Sequence, residues 1–332
     1  MVTSHDVARL AGVSQPTVSR ALNDSPRVSE ATKARIREAA AVLGYSPSAV
    51  GRALATGRSN RVGLVVTDLA NEFYAHVIAP LHSELERLGH ELVLITESSE
   101  GGPVPERIVA HGLAGVVLAT TTLDSALPAR LQDRGVPFVY FNRVAHGVSA
   151  DAVVVDPRAG VAEMAGAVAS AGHRRIAAAF GPRNTSTGEE RELAVREHLA
   201  EHGLVLRERD VRHGPFTFEA GQECARELLA RPTRPTVLVC AHDIVALGAL
   251  DAALQLGLEV PGDFSIVGFD DLPAAGWVAV RLSTVGYDLA AMAREAAQQV
   301  SRRIEQGPDA PPVRRAFATH WIPRATLAPP RG

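Results

Sequence analysis

The chain holds only two cysteines, Cys224 and Cys240, among 332 residues. That is too few for a disulfide framework, and their spacing fits no metal-ligand pair, so a reducing cytosol is the expected environment. Lysine is scarcer still, since Lys33 is the only one, which excludes a GxxxxGK[ST] phosphate loop. No stretch approaches the ~18 consecutive apolar residues of a membrane span. The opening MVTSHDVARL lacks the basic flank and apolar run of a secretory leader. GxGxxG does not follow the first body strand, and HExxH and GxSxG occur nowhere, which argues against a cytosolic α/β enzyme. His198 and His202 share a helical face but bring no further ligands, so they read as a solvated face; no metal and no cofactor are expected.

What is present suits a globular chain, with 46% hydrophobic and 21% charged residues over a length fitting two domains. The net charge of −3 hides an asymmetry: residues 1–60 carry eight Lys/Arg against four Asp/Glu, and the rest carry 26 against 33. A basic head on an acidic body is the pattern of a nucleic-acid-binding module attached to an indifferent partner.

The head reads as three short helices. Thr3-x-x-Asp6 resembles a capping box, with Val7, Leu10 and Ala11 spaced to bury before Gly12. Ser14 then caps a second helix that has Pro16 in its first turn and Val18, Ala21 and Leu22 facing inward. Ser29 caps a third, whose Ile36, Ala39, Ala40 and Leu43 face the core before Gly44. From Arg61 onward the pattern changes to β-branched runs at 62–67, 92–96, 115–119, 138–141, 153–155, 175–180, 236–241 and 264–269. Amphipathic stretches such as 75–88, 189–201 and 244–256 alternate with them, which predicts two doubly wound parallel sheets. The expected organisation is therefore a head at 1–46, a hinge and linker at 47–60 and a body at 61–332.

Helix, turn, helix is a DNA-reading layout, although a solvated helical hairpin fits the same pattern. Its outward face presents Gln15, Pro16, Ser19, Arg20 and Asn23. Arg20 could donate twice to guanine, Gln15 could reach a base edge, and Thr3, Thr17 and Ser19 suit phosphates.

Residues 3–22, TSHDVARLAGVSQPTVSRAL, followed by Val28-Ser29-Glu30, Gly44-Tyr45-Ser46-Pro47 and Arg52-Ala53-Leu54, closely resemble the head of the lactose-repressor (LacI/GalR) family. The likeness continues through Asn71-Glu72-Phe73-Tyr74, Phe141-Asn142-Arg143, Gly172-His173-Arg174-Arg175-Ile176 and Val267-Gly268-Phe269-Asp270-Asp271, covering nearly the whole chain. The resemblance implies a helix-turn-helix head joined to a body shaped like a periplasmic binding protein. It further implies a homodimer, or a tetramer, on a pseudo-palindromic operator in double-stranded DNA, regulated by a small effector such as a sugar or its derivative. It adds Tyr45 to the DNA contacts and makes Leu54 a minor-groove wedge on a hinge helix, where an apolar contact with the body is the alternative. For the effector it implies Phe73, Tyr74, Thr187, Arg191, Phe216, His242 and Asp270, with Phe73 and Tyr74 either stacking on a ring or serving as core.

Some positions depart from the family. Ser48 stands where many relatives have Asn, His242-Asp243 where Asn-Asp is usual, and Arg281 in place of a proline. The function expected is a cytoplasmic transcriptional regulator acting as a repressor. A solute-binding protein without DNA-linked regulation, or a regulator of nucleoside or purine response, are the alternatives.

Overall fold

A computed structural model describes the chain except residues 1, 23–24, 46–58, 68–70, 97–105, 109–110, 308–309 and 332. The chain divides into two units, Met1–Asn60 and Arg61–Gly332.

The first unit is built from α1 (Ser4–Ala11), α2 (Gln15–Leu22) and α3 (Glu30–Leu43). Asp6 accepts from the Thr3 backbone N–H at 3.0 Å, closing the capping box. Gly12 ends α1 at φ 62°, a left-handed backbone that lets the chain turn tightly into α2. Ser29 Oγ accepts from the Thr32 N–H and starts α3. Val7, Ala8, Ala11, Val18, Ala21, Ile36, Ala39 and Ala40 form the core. One expectation fails here: Leu10 is 53% exposed rather than inward. The buried stripe of α1 runs through Val7, Ala8 and Ala11, where alanine lets the helices approach closely, and Leu10 falls outside it.

In the second unit β1 (Arg61–Val66), α4 (Glu72–Arg87), β2 (Glu91–Thr96), β3 (Gly115–Leu118), α5 (Leu127–Asp133), β4 (Phe138–Phe141) and β5 (Asp151–Asp156) build a first subdomain. After α6 (Arg158–Ser170) come β6 (Ile176–Phe180), α7 (Ser186–Glu201), β7 (Val211–His213), α8 (Phe218–Leu229), β8 (Val237–Cys240), α9 (Asp243–Gln255), β9 (Ser265–Asp270) and β10 (Ser283–Gly286). The chain then returns through α10 (Leu289–Gln306) to β11 (Arg314–Ala318) and ends its regular structure at β12 (His320–Ile322).

The sheet orders are β11-β5-β4-β3-β1-β2 and β12-β10-β9-β8-β6-β7. Every described pairing is parallel except β10 with β12. The chain thus passes between the sheets after β5, after β10 and again between β11 and β12. Helices α4 and α10 cover one face of the first sheet, and α8 and α9 pack together on one face of the second. The α8–α9 contact is backbone on backbone: a Cβ at Gly248 would collide with the Phe218 carbonyl, and one at Gly221 with the Val245 carbonyl.

The anticipated strands are present within a residue or two, but β7, β10, β11 and β12 were not anticipated. Helix α4 starts three residues before its apolar periodicity because Asn71 Oδ1 accepts from the Phe73 N–H at 3.0 Å. The expected hinge with Leu54, and Asn23 of the head, lie outside the described residues. His198 is half-buried, not solvated, and bonds Glu201 through Nδ1 at 2.9 Å, whereas His202 is exposed. Among the described residues no helix is long and apolar enough to cross a membrane.

Candidate functional site

On the head, Arg20 and Pro16 are exposed along α2, and Gln15, Thr17 and Ser19 are half-buried beside them. Gln15 Nε2 donates to Ser4 Oγ at 3.3 Å, which ties the start of α2 to α1. Thr17 shares a hydrogen with Ser14 Oγ across 2.8 Å, and the Thr3 hydroxyl donates to Asp6 at 2.8 Å. Arg20 projects from the last turn of a helix whose start is braced. Tyr45 is half-buried and packs on the head's core.

In the body the carboxyl ends of both sheets converge on one small cavity of about 20 Å³. Phe73, Tyr74, Thr187, Arg191, Phe216, His242 and Asp270 all line it, and so do Asn71, Ala119, Asn142 and Arg143, which sequence reasoning had not singled out as site residues. Phe73 and Tyr74 serve both as wall and as core, packed edge to face at 5.6 Å in the first turn of α4. Phe216 approaches Gly181 so closely that its ring occupies the place of a Cβ there.

Arg191 and Asp270 form the most tightly held pair. Arg191 Nη2 donates to Asp270 Oδ1 at 2.7 Å and Nη1 to Oδ2 at 3.3 Å, while Nη1 also donates to the Ala241 carbonyl at 2.5 Å. The guanidinium lies 3.9 Å over the Phe269 ring. Burial opposes its charge, but the Asp270 carboxylate together with Tyr287 and Asp243 outweighs that and holds the Arg191 pKa above its ordinary value. The Tyr287 hydroxyl donates to Asp270 Oδ1 at 2.9 Å.

His242 caps α9: its Nδ1 accepts from the Ile244 N–H at 3.1 Å, leaving Nε2 to carry the proton 3.4 Å from Asp270 Oδ2. Its ring lies between Phe216 at 5.0 Å and Phe73 at 6.1 Å. Burial drives its pKa down to about 4, so the ring is neutral near pH 7. Next to it, Asp243 accepts from the Thr284 hydroxyl at 2.6 Å and the Leu272 N–H at 2.8 Å, with burial pushing its pKa well up. A Cβ on Gly268 would collide with that carboxylate, which explains the glycine before Phe269.

One consequence is a pH dependence. In the unfolded chain His242 protonates below about pH 6.5, yet the native ring stays neutral down to about 4. The unfolded state therefore binds more protons in that window, and stability falls as pH drops from about 6.5 to about 4, by up to ~1.4 kcal/mol per unit. Chemical denaturation of wild-type and His242→Asn protein at several pH values should differ by this slope. Parallel curves would refute it.

Residues 3–48 match the lacI family of bacterial regulatory proteins, and residues 165–327 match a periplasmic binding protein-like domain. The transcriptional regulator GalR of Escherichia coli K12 is 31% identical over 99% of this chain and 97% of its own. The regulator CelR of Thermobifida fusca is 34% identical over 96% of each. Among solved structures, a CelR–cellobiose complex superposes with a TM-score of 0.75 at 32% identity, covering 98% of this chain and all of that one. The lac repressor dimer bound to operator and the anti-inducer ONPF superposes at 0.86 with 23% identity, over 98% and 99% of the two chains, which speaks to the fold.

Proposed function

Because the chain belongs to the LacI family of bacterial regulatory proteins and is a DNA-binding transcriptional regulator, we propose that it is a cytoplasmic, homodimeric repressor. Its operator affinity is set by a small effector held between the two subdomains, and it works by binding, with no catalytic step. The observation that carries this reading is the convergence of aromatic and charged side chains from both sheets on one cavity, the arrangement through which a ligand can bias two subdomains. The CelR relative is named as a complex with cellobiose, which supports a sugar or sugar derivative as the effector class. The exposed Arg20 supports base reading by α2, and two heads related by a twofold axis match a pseudo-palindromic site.

A thermal-shift screen of sugars and their derivatives tests the effector, since a ligand at 100 times its Kd adds about 2.7 kcal/mol of stability. A hit must then change operator affinity by the same factor by which operator changes effector affinity. A ligand that stabilises the body but leaves operator titrations unmoved would favour a solute-binding role.

For the head, Arg20→Ala should cost about 1–3 kcal/mol per half-site and relax base preference there. Selection from a randomised operator pool reads both effects, and an unaltered base preference would remove Arg20 from the readout.

A further inference from the structure

Charge does not balance in the cavity. Asp270 is the one carboxylate among its described lining residues, and its oxygens are already engaged by Arg191 and Tyr287, with His242 3.4 Å from the second oxygen. Arg143 enters the same space at the end of β4, and among the described residues its guanidinium has no ion-pair or hydrogen-bond partner, only the Phe216 ring 5.7 Å away. Two guanidiniums thus face one carboxylate. Beside them the Thr187 hydroxyl and Asn142 Oδ1 are buried without a partner.

We propose that the effector carries an anionic group, a carboxylate or a phosphate, that seats on Arg143 with the Thr187 hydroxyl as a second donor. The inference rests on the cavity being the effector site. A half-buried guanidinium without a counter-ion is costly, and an arriving oxyanion removes that cost while accepting charge-assisted hydrogen bonds from the planar fork. A neutral sugar would leave the positive charge uncompensated. Burial also depresses the Arg143 pKa, with Arg191 adding to it, and the Asp270 charge does not make this up. A sugar acid and a sugar phosphate share the needed chemistry, with the uncharged ring left for the Phe216 wall.

The test uses the full chain in calorimetry with glucuronate, gluconate and glucose 6-phosphate, each against glucose. At least one acid should bind tenfold or more tightly than glucose. That preference should disappear in Arg143→Gln and largely survive in Arg143→Lys, which keeps the charge. Glucose bound as tightly as the acids, with loss in Phe216→Ala, would overturn the anion while leaving the cavity as the effector site. Acid binding that survives Arg143→Gln, or no binding by any acid, would also overturn it.

Discussion

Removing the Asp270 carboxylate as Asp270→Ala should destabilise the body by about 3–5 kcal/mol and eliminate effector binding with it. The pair is enclosed, with side-chain exposure of 4% for Arg191 and 0% for Asp270. Alanine would leave a guanidinium out of water with the Ala241 carbonyl and the Phe269 and Phe216 faces as its partners and no counter-charge beside it. It would also leave the Tyr287 hydroxyl without its acceptor. Coulomb attraction is not the source of the figure, because a well-made buried pair about breaks even against apolar side chains of equal volume. The penalty arises from orphaning one partner. The double replacement Arg191→Met with Asp270→Leu should therefore recover much of the lost stability, giving a coupling energy of opposite sign to the single losses. Urea denaturation of Asp270→Ala, of Arg191→Met and Asp270→Leu singly, and of their double decides this; a single-site cost under about 1 kcal/mol would mean that the pair is not a structural anchor.

The other large effect is steric. Gly248→Val should cost about 3 kcal/mol or more, because the added carbons meet the Phe218 carbonyl and the Gln222 N–H, which cannot yield without separating α8 from α9. Gly214→Ala is the control, since its Cβ would meet only the Ala220 methyl at an ordinary 3.7 Å. That change should be neutral or slightly stabilising by restricting the unfolded chain. Thermal unfolding of both variants separates a packing requirement from a general intolerance of larger residues. Equal losses would remove the helix contact as the cause.

Local signals explain why much of this architecture could be anticipated. Ser29, Gly12 and Gly44 announce helix ends through their own hydrogen bonds and backbone angles, and the runs at β1 or β9 need only their own side chains to declare a buried strand. The elements that escaped have no such autonomy. β11 is Arg-Arg-Ala-Phe-Ala, with an exposed pattern, and becomes a strand because β5, some 160 residues earlier, offers it a parallel edge. β7 and β12 are three residues long and depend likewise on neighbours. The cavity divides the same way. Asp270 is legible from its motif and Arg191 from the family resemblance, but their direct engagement, and the commitment of Asp270 Oδ1 to Tyr287, join residues far apart in sequence. Arg143 ends the Phe141-Asn142-Arg143 motif, yet nothing local distinguishes a half-buried arginine lacking an ion-pair partner from one at the surface.

The order of strand addition bears on synthesis. β11 closes the edge of one sheet and β12 that of the other, and only Thr319 separates them. Once the chain has been made as far as Gln306, nearly every apolar segment of the body exists, yet both sheets still lack an edge strand. The unfilled edge beside β5 and the one beside β10 then sit exposed together, each able to pair with another nascent chain. A stop or frameshift near residue 313 would leave a product open at two edges at once, and aggregation, more than loss of effector response, would be its first visible defect.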